Sequence, residues 1–388
     1  MEESGIREEL LLYQADLHGL RQILYANIVM AGEIPAPTGG EGMLTRFLSD
    51  RFTESGLNDI AFDQAGNIAA VLPGRNPQRN LLLAAHVDKV WPESDDHTVS
   101  VRVGKMKARG IADNGLGVAA LATLPIILER LNIKLESNLI LLGTTKSFGR
   151  GDLGGMRFFL ENTDRQFESA LCLEGMNLGR LSFASLGMAR GEIEVKLSGP
   201  GSDPDTMTTG VIATVQEIVS ELTRLNRESF PEVRILLGAV NAGSGYNVPP
   251  SSGRICFEVR SEEAAEVAKM EERIQSAVSE IRNGKEDISI GVEMIAHRRP
   301  GNLGESHPLV QFARTALEAL GVEPKEEPSI SELAALLTHR IPSLTLGLTR
   351  GSHRHSPNET IELEPLFDGI AHLLAVLRHM DRTDYAPL

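Results

Sequence analysis

Residues 81–85, in the stretch NLLLAAHVD, are apolar without a break and end at His86 and Asp88. A strand with one solvated face alternates; an unbroken apolar run suits a strand covered on both faces. The next apolar segments are GVAALATLPIILERL, spaced as a helix, and NLILLGTT, again strand-like. Strand, helix and strand at these lengths require a crossover, so the fold expected is α/β, a mostly parallel sheet with helices on both faces.

Around this unit the chain reads consistently. Leu10, Leu11, Leu17, Leu20, Ile23 and Leu24 keep helical spacing until the breaker GEIPAPTGGEG, and a further helix is expected through Leu44 to Phe52. Near Gly191 the character changes. GEIEVKLSG alternates, and a helix from Val211 to Leu225, the runs VRILLGAV and GRICFEVRS, a charged helix from Glu262 to Ile281 and DISIGVEMI follow. That order, β-α-β-β-α-β, is ferredoxin-like. After HRRPGN the alternating α/β pattern returns. The expected organisation is an α/β domain of residues 1–186 and 301–388, split by an inserted α+β domain of residues 187–300.

A formal charge of −15 and 4% aromatic residues argue against nucleic acid as a partner, since phosphates would be repelled and bases would lack stacking surfaces. No unbroken apolar run reaches the roughly 18 residues of a membrane span, and the acidic N-terminus has no basic region ahead of a greasy one. The expectation is a cytoplasmic protein whose two cysteines, Cys172 and Cys256, are reduced.

Several chemical side chains stand at ends of apolar strands, where α/β sheets place ligands. His86 and Asp88 project to the same side of their strand, so Asp88 could hold the ring of a metal-ligating His86. Asp113 stands in ADNG before a helix, where a turn or cap is the ordinary role. Glu174 ends SALCLEGM, and His355 follows SLTLGL within TRGSHRHSPNETIEL. Together they make a nitrogen and oxygen set of the kind that binds zinc, manganese or cobalt.

HVDKV, GIADNGLGVAAL, LGTTKSFGRGDLGGM, LEGMNLGRLSFASLGMARGEIEVKLSGPG, NVPPSSGRICFEVRS and TRGSHRHSPNETIEL, in that order, resemble the M20 family of metallopeptidases and amidohydrolases. The resemblance implies a zinc-peptidase-like sheet and an inserted lid that supports a homodimer. It makes His86 and Glu174 ligands to one metal, with Asp88 orienting His86. Asp113 would bridge two metals, ahead of a cis peptide to Asn114, and His355 would bind the second metal. In the family a Glu-Glu pair follows the LGT strand end, the first a general base toward the attacking water and the second a metal ligand. Here those positions are Ser147 and Phe148.

The lid histidine that polarises the scissile carbonyl falls on Asp203, the family's acidic residue before the last strand falls on Glu332, and Arg260 is a candidate for holding a substrate carboxylate. The cofactor expected is therefore one divalent metal, zinc first, because the second site has lost a ligand. The substrate class implied is a small peptide or N-acyl amino acid. Three readings stay open: a weak or altered hydrolase with His353, Lys146 or Asp203 as substitute base, an inactive relative that binds such a ligand, and a scaffold.

Overall fold

A computed structural model describes residues 3–57, 59–198, 210–246, 248, 250–283 and 285–385. The chain forms two compact units, one of residues 1–185 and 302–388, the other of residues 186–301.

In the first unit the helices Glu3–Leu17 (α1), Arg21–Glu33 (α2) and Gly42–Glu54 (α3) precede the strands Asp59–Phe62 (β1), Ile68–Leu72 (β2) and Asn76–His86 (β3). Helix Leu116–Arg130 (α4), strand Ser137–Thr144 (β4), helix Gly154–Asn162 (α5) and strand Ser169–Met176 (β5) follow. In the sheet β3 pairs in parallel with β4 on one side and β5 on the other. Strand Ser343–Thr349, labelled β10 below, extends it in parallel beyond β5. The antiparallel β1 and β2 close the β4 side. The chain thus steps from β3 to opposite sides in turn, which makes the gap between β3 and β5 a topological switch point.

The unalternated runs are explained by this layering. Leu81, Leu83, Ala85, Leu139 and Leu141 point into a core with α1, α2, α4 and the C-terminal helices. Leu82, Ala84, Ile140, Leu142 and Cys172 point the other way, against Met156 of α5 and Ala334 to Leu336. Each fully buried leucine contributes about 1.5–3 kcal/mol through removal of its apolar surface from water.

One expectation is corrected by α4. Counted by length and composition rather than by unbroken apolar run, Ile111–Arg130 is apolar enough to cross a membrane. It is apolar on all sides because nearly all of it is buried inside the fold, against α2, α3 and the sheet.

The second unit has strands Gly187–Leu197 (β6), Arg234–Ala242 (β7), Ser252–Ser261 (β8) and Ile288–Arg298 (β9), with helices Val211–Ser229 (α6) and Ala264–Asn283 (α7) between them. The antiparallel order is β7-β8-β6-β9, which is the ferredoxin-like arrangement. Val211, Val215, Ile218, Leu222 and Leu225 recur on one face of α6 and meet Ile193, Val195, Ile255 and Phe257 of the strands.

The last helices of the first unit are Pro308–Ala319 (α8), Leu333–Thr338 (α9) and Pro365–Arg382 (α10). Helix α10 lies so close to β10 that a methyl group on Gly369 would sit 1.9 Å from the Leu348 carbonyl oxygen. Gly369→Ala is expected to lower stability by more than about 2 kcal/mol, since backbone on both sides must shift; urea unfolding measures it. His372 of α10 is buried and donates from Nε2 to the Ala313 carbonyl at 2.9 Å. Burial pushes its pKa down to about 4, whereas the unfolded ring titrates near 6.5. The unfolded chain therefore binds more protons between those values, and stability falls as pH drops through that window. The expected loss at pH 4 is on the order of 3 kcal/mol, and a His372→Gln variant should lack this component in melts across that range.

Candidate metal centre

His86 is the last residue of β3 and faces Thr144, the last of β4. Glu174 lies near the end of β5, beside Gly347 of β10. Asp113 arrives from the crossover between β3 and α4, in a turn whose Asp113–Asn114 peptide is cis. Two features press this turn onto β5. Asn114 Nδ2 donates to the Leu173 carbonyl at 2.8 Å while its Oδ1 accepts from Gly117 N at 3.2 Å. Gly175 leaves room for the approach, because a Cβ there would meet the Ala112 carbonyl oxygen at 2.3 Å.

The result is a junction at the switch point. Ligand atoms of His86, Asp113 and Glu174 all lie within 4.8 Å of one another, and all three residues are buried. His86 Nε2 is 3.1 Å from Asp113 Oδ1. The contact is misaligned for a hydrogen bond, so Asp113 Oδ1 has no such partner among the described residues. Burial opposes a charge on His86, but Asp113 and Asp88 outweigh it and lift its pKa well above the ordinary value. Burial likewise opposes ionisation of Asp113, yet His355 and His86 hold its carboxyl well below the usual range.

Asp88 does two jobs here. Its Oδ1 lies 3.4 Å from His86 Nδ1, which also contacts the Asp88 backbone carbonyl at 3.2 Å. Its Oδ2 accepts from Thr38 Oγ1 at 2.8 Å, Ser147 N at 2.8 Å and Phe148 N at 2.9 Å. The carboxylate that faces the imidazole therefore also fixes the backbone of Ser147 and Phe148.

Ser147 turns its hydroxyl to Glu332, donating from Oγ to Oε1 at 2.5 Å. Glu332 precedes α9 and is buried; burial raises its pKa, with His86 pulling the other way. Phe148 sets its ring edge-on to both imidazoles, 5.0 Å from His86 and 6.1 Å from His355 between centroids.

His355 Nε2 meets Asp113 Oδ2 at 2.6 Å. Arg354 meets the same oxygen, from Nε at 2.6 Å and Nη2 at 2.5 Å, and its Nη2 is 3.4 Å from Glu174 Oε2. Burial works against the guanidinium charge, but Asp113 and Glu174 hold it firmly protonated. Glu359 anchors both loops: Oε1 accepts from Ala112 N at 2.6 Å and Asp113 N at 2.9 Å, and Oε2 accepts from His355 N at 3.0 Å.

The donors fit one divalent ion. An imidazole and two carboxylates converge, and the inward oxygen of Asp113 is without a hydrogen-bond partner among the described residues. They do not fit a second. The outward oxygen of Asp113 is taken by His355 and Arg354, and an aromatic ring lies beside both imidazoles where an anionic ligand would be needed.

Arg260 is committed to Glu258, with Nε at 2.9 Å, and Arg190 grips the same carboxylate at 2.6 Å. His353 is exposed and contacts Ser352 Oγ, and Asp203 lies outside the described residues. Sequence reasoning missed Arg354 and Glu359 and gave Glu332 only a loose place. Glu359 had a signal, being a carboxylate four residues beyond His355, but a single acid in a polar loop is ordinary.

A sequence comparison with curated proteins gives no significant match. Among solved structures, the dipeptidase Dug1p of Saccharomyces cerevisiae superposes with a TM-score of 0.81, at 13% identity over 99% of this chain and 100% of that one. Human carnosine dipeptidase 1 gives 0.74, at 13% identity over 99% of each. The YXEP protein of Bacillus subtilis, a dinuclear metal-binding peptidase, gives 0.62, at 17% identity over 93% of this chain and 98% of that one. These likenesses show a shared fold. The family model for peptidase family M20/M25/M40 matches residues 82–379, a span that begins within β3 and takes in the whole junction, and the chain belongs to that family.

Proposed function

We propose that this protein hydrolyses the amide bond of a short peptide or N-acyl amino acid, using one divalent ion held by His86, Asp113 and Glu174. The observation that carries the reading is the meeting of those three donors at the switch point. The nitrogen and oxygen set makes zinc the first candidate. Such an ion, when bound, supplies a Lewis acid that polarises the scissile carbonyl and acidifies a water.

The chain's own residues supply the rest. Asp88 keeps the His86 ring in place and holds Ser147 and Phe148 by their amides. The base missing at position 147 is replaced in two parts. Ser147 Oγ already donates to Glu332, so it accepts a proton from the attacking water as its own passes to Glu332 Oε1. Burial raises the proton affinity of Glu332 above that of an ordinary carboxylate, which favours its taking up the proton. A relay through a hydroxyl is weaker than a direct carboxylate, so turnover is slow by the standard of the family. Dipeptidases among the structural relatives support a short peptide as substrate. The β7 edge of the inserted sheet, with Leu236, Leu237 and Val240 exposed, suits pairing with a second copy.

A second reading, a non-catalytic binder of the same ligands, is favoured by Phe148 and Arg354, which fill the outer part of the site with a ring and a fixed positive charge. A panel of dipeptides and N-acyl amino acids assayed with added Zn²⁺ or Co²⁺ separates the two. Slow, chelator-sensitive turnover is expected. Glu332→Gln should lower kcat about 10²-fold with KM little changed, Ser147→Ala should behave alike, and the double variant should be no worse than either. A rate indifferent to Glu332→Gln rules out the relay. No turnover on any substrate by metal-loaded protein establishes the binder instead. Phe148→Glu, which restores a carboxylate beside His355, is expected to raise the metal content measured by elemental analysis from one ion per chain toward two (about one added ion, by the ligand count of such sites).

A further inference from the structure

Arg354 stands between His353 and His355, both in the left-handed region, with φ of 61° and 59°. In an extended chain neighbouring side chains point apart. Here the two left-handed residues turn the backbone so that Arg354 and His355 both reach Asp113 Oδ2. Such a conformation is unfavourable for residues with a Cβ and persists only where its surroundings enforce it. Glu359 Oε2 holds His355 N at 3.0 Å, and Ser356 N donates to the His353 carbonyl at 3.0 Å. The loop is built to send a guanidinium inward. That guanidinium spans two of the three converging donors, Asp113 and Glu174, while its side chain remains 34% exposed and so has a way out to solvent.

We infer that Arg354 is a resident cation of the metal centre, so that a divalent ion binds by displacing its guanidinium from Asp113 and Glu174. The inference rests on reading His86, Asp113 and Glu174 as ligands. A guanidinium and a divalent ion a few ångströms apart on the same carboxylates repel strongly in a poorly solvated site. Binding is therefore an exchange of one positive group for another, and the affinity for divalent ions is held down by the competitor. The arrangement also keeps Asp113 and Glu174 charge-compensated when no ion is bound, which removal of the arginine alone would undo.

The test is titration with Co²⁺ alone by calorimetry, on wild type, Arg354→Met, Arg354→Lys and Glu174→Gln. Arg354→Met is expected to bind close to one ion per chain, on the order of 10²-fold more tightly than wild type. Arg354→Lys, which keeps a positive charge on a flexible stem, should stay near wild type. In a chelator Arg354→Met should melt below wild type and recover when Co²⁺ is added. Equal, tight binding by wild type and Arg354→Met overturns the inference while leaving the ligand assignment standing. Arg354→Lys binding as tightly as Arg354→Met also overturns it, since charge would then not be the competitor. Binding to neither protein, or binding that survives Glu174→Gln, ends the ligand assignment and the inference together.

Discussion

Burying several carboxylates at one edge of a sheet is the constraint around which this domain is arranged. Asp88, Asp113, Glu174, Glu332 and Glu359 are all buried, in a region closed above and below by apolar layers. An unpaired charge in such a place costs far more than a typical side-chain contact returns. Each is compensated differently. Asp88 takes two backbone amides and a threonine hydroxyl, and Glu359 takes three amides. Glu332 has the serine hydroxyl, while Asp113 and Glu174 share the positive charge of Arg354. Many of the loop positions near the centre follow from these demands.

The same demands explain how the loop at Ser147 and Phe148 stays ordered. Amides of residues 147 and 148 are bound by Asp88 whatever their side chains are, so the loop keeps its path. The hydroxyl at 147 is met by a carboxylate from a distant helix start. A ring at 148 finds two imidazole faces. The chemistry of these two side chains is thus separated from the backbone that carries them.

Much of this was legible in the chain itself. The absence of alternation in residues 81–85 and 139–142 marks strands covered on both faces; His86 marks where the first of them stops, and Glu174 stands near the end of a third. Regular spacing in residues 211–225 and the alternation after Gly191 carry the expectation of an inserted unit. Arg354 was not legible. An arginine between histidines in a polar loop reads as solvated, and left-handed backbone is signalled by Gly or Asn rather than by histidine. The contact of Glu332 with Ser147 was hidden for another reason: an acid at a helix start has an ordinary local role, and only the packing of α9 brings it to Ser147.

The bonds from Glu359 to Ala112 and Asp113 join residues 247 and 246 positions apart. The entire second unit is threaded between them in the chain. A nascent polypeptide still short of residue 359 has the first strands and their acidic side chains but none of the late loop that fastens them. Completion of the centre therefore waits until residue 359 has been made, and the protein cannot acquire its finished arrangement while translation of the insert is under way.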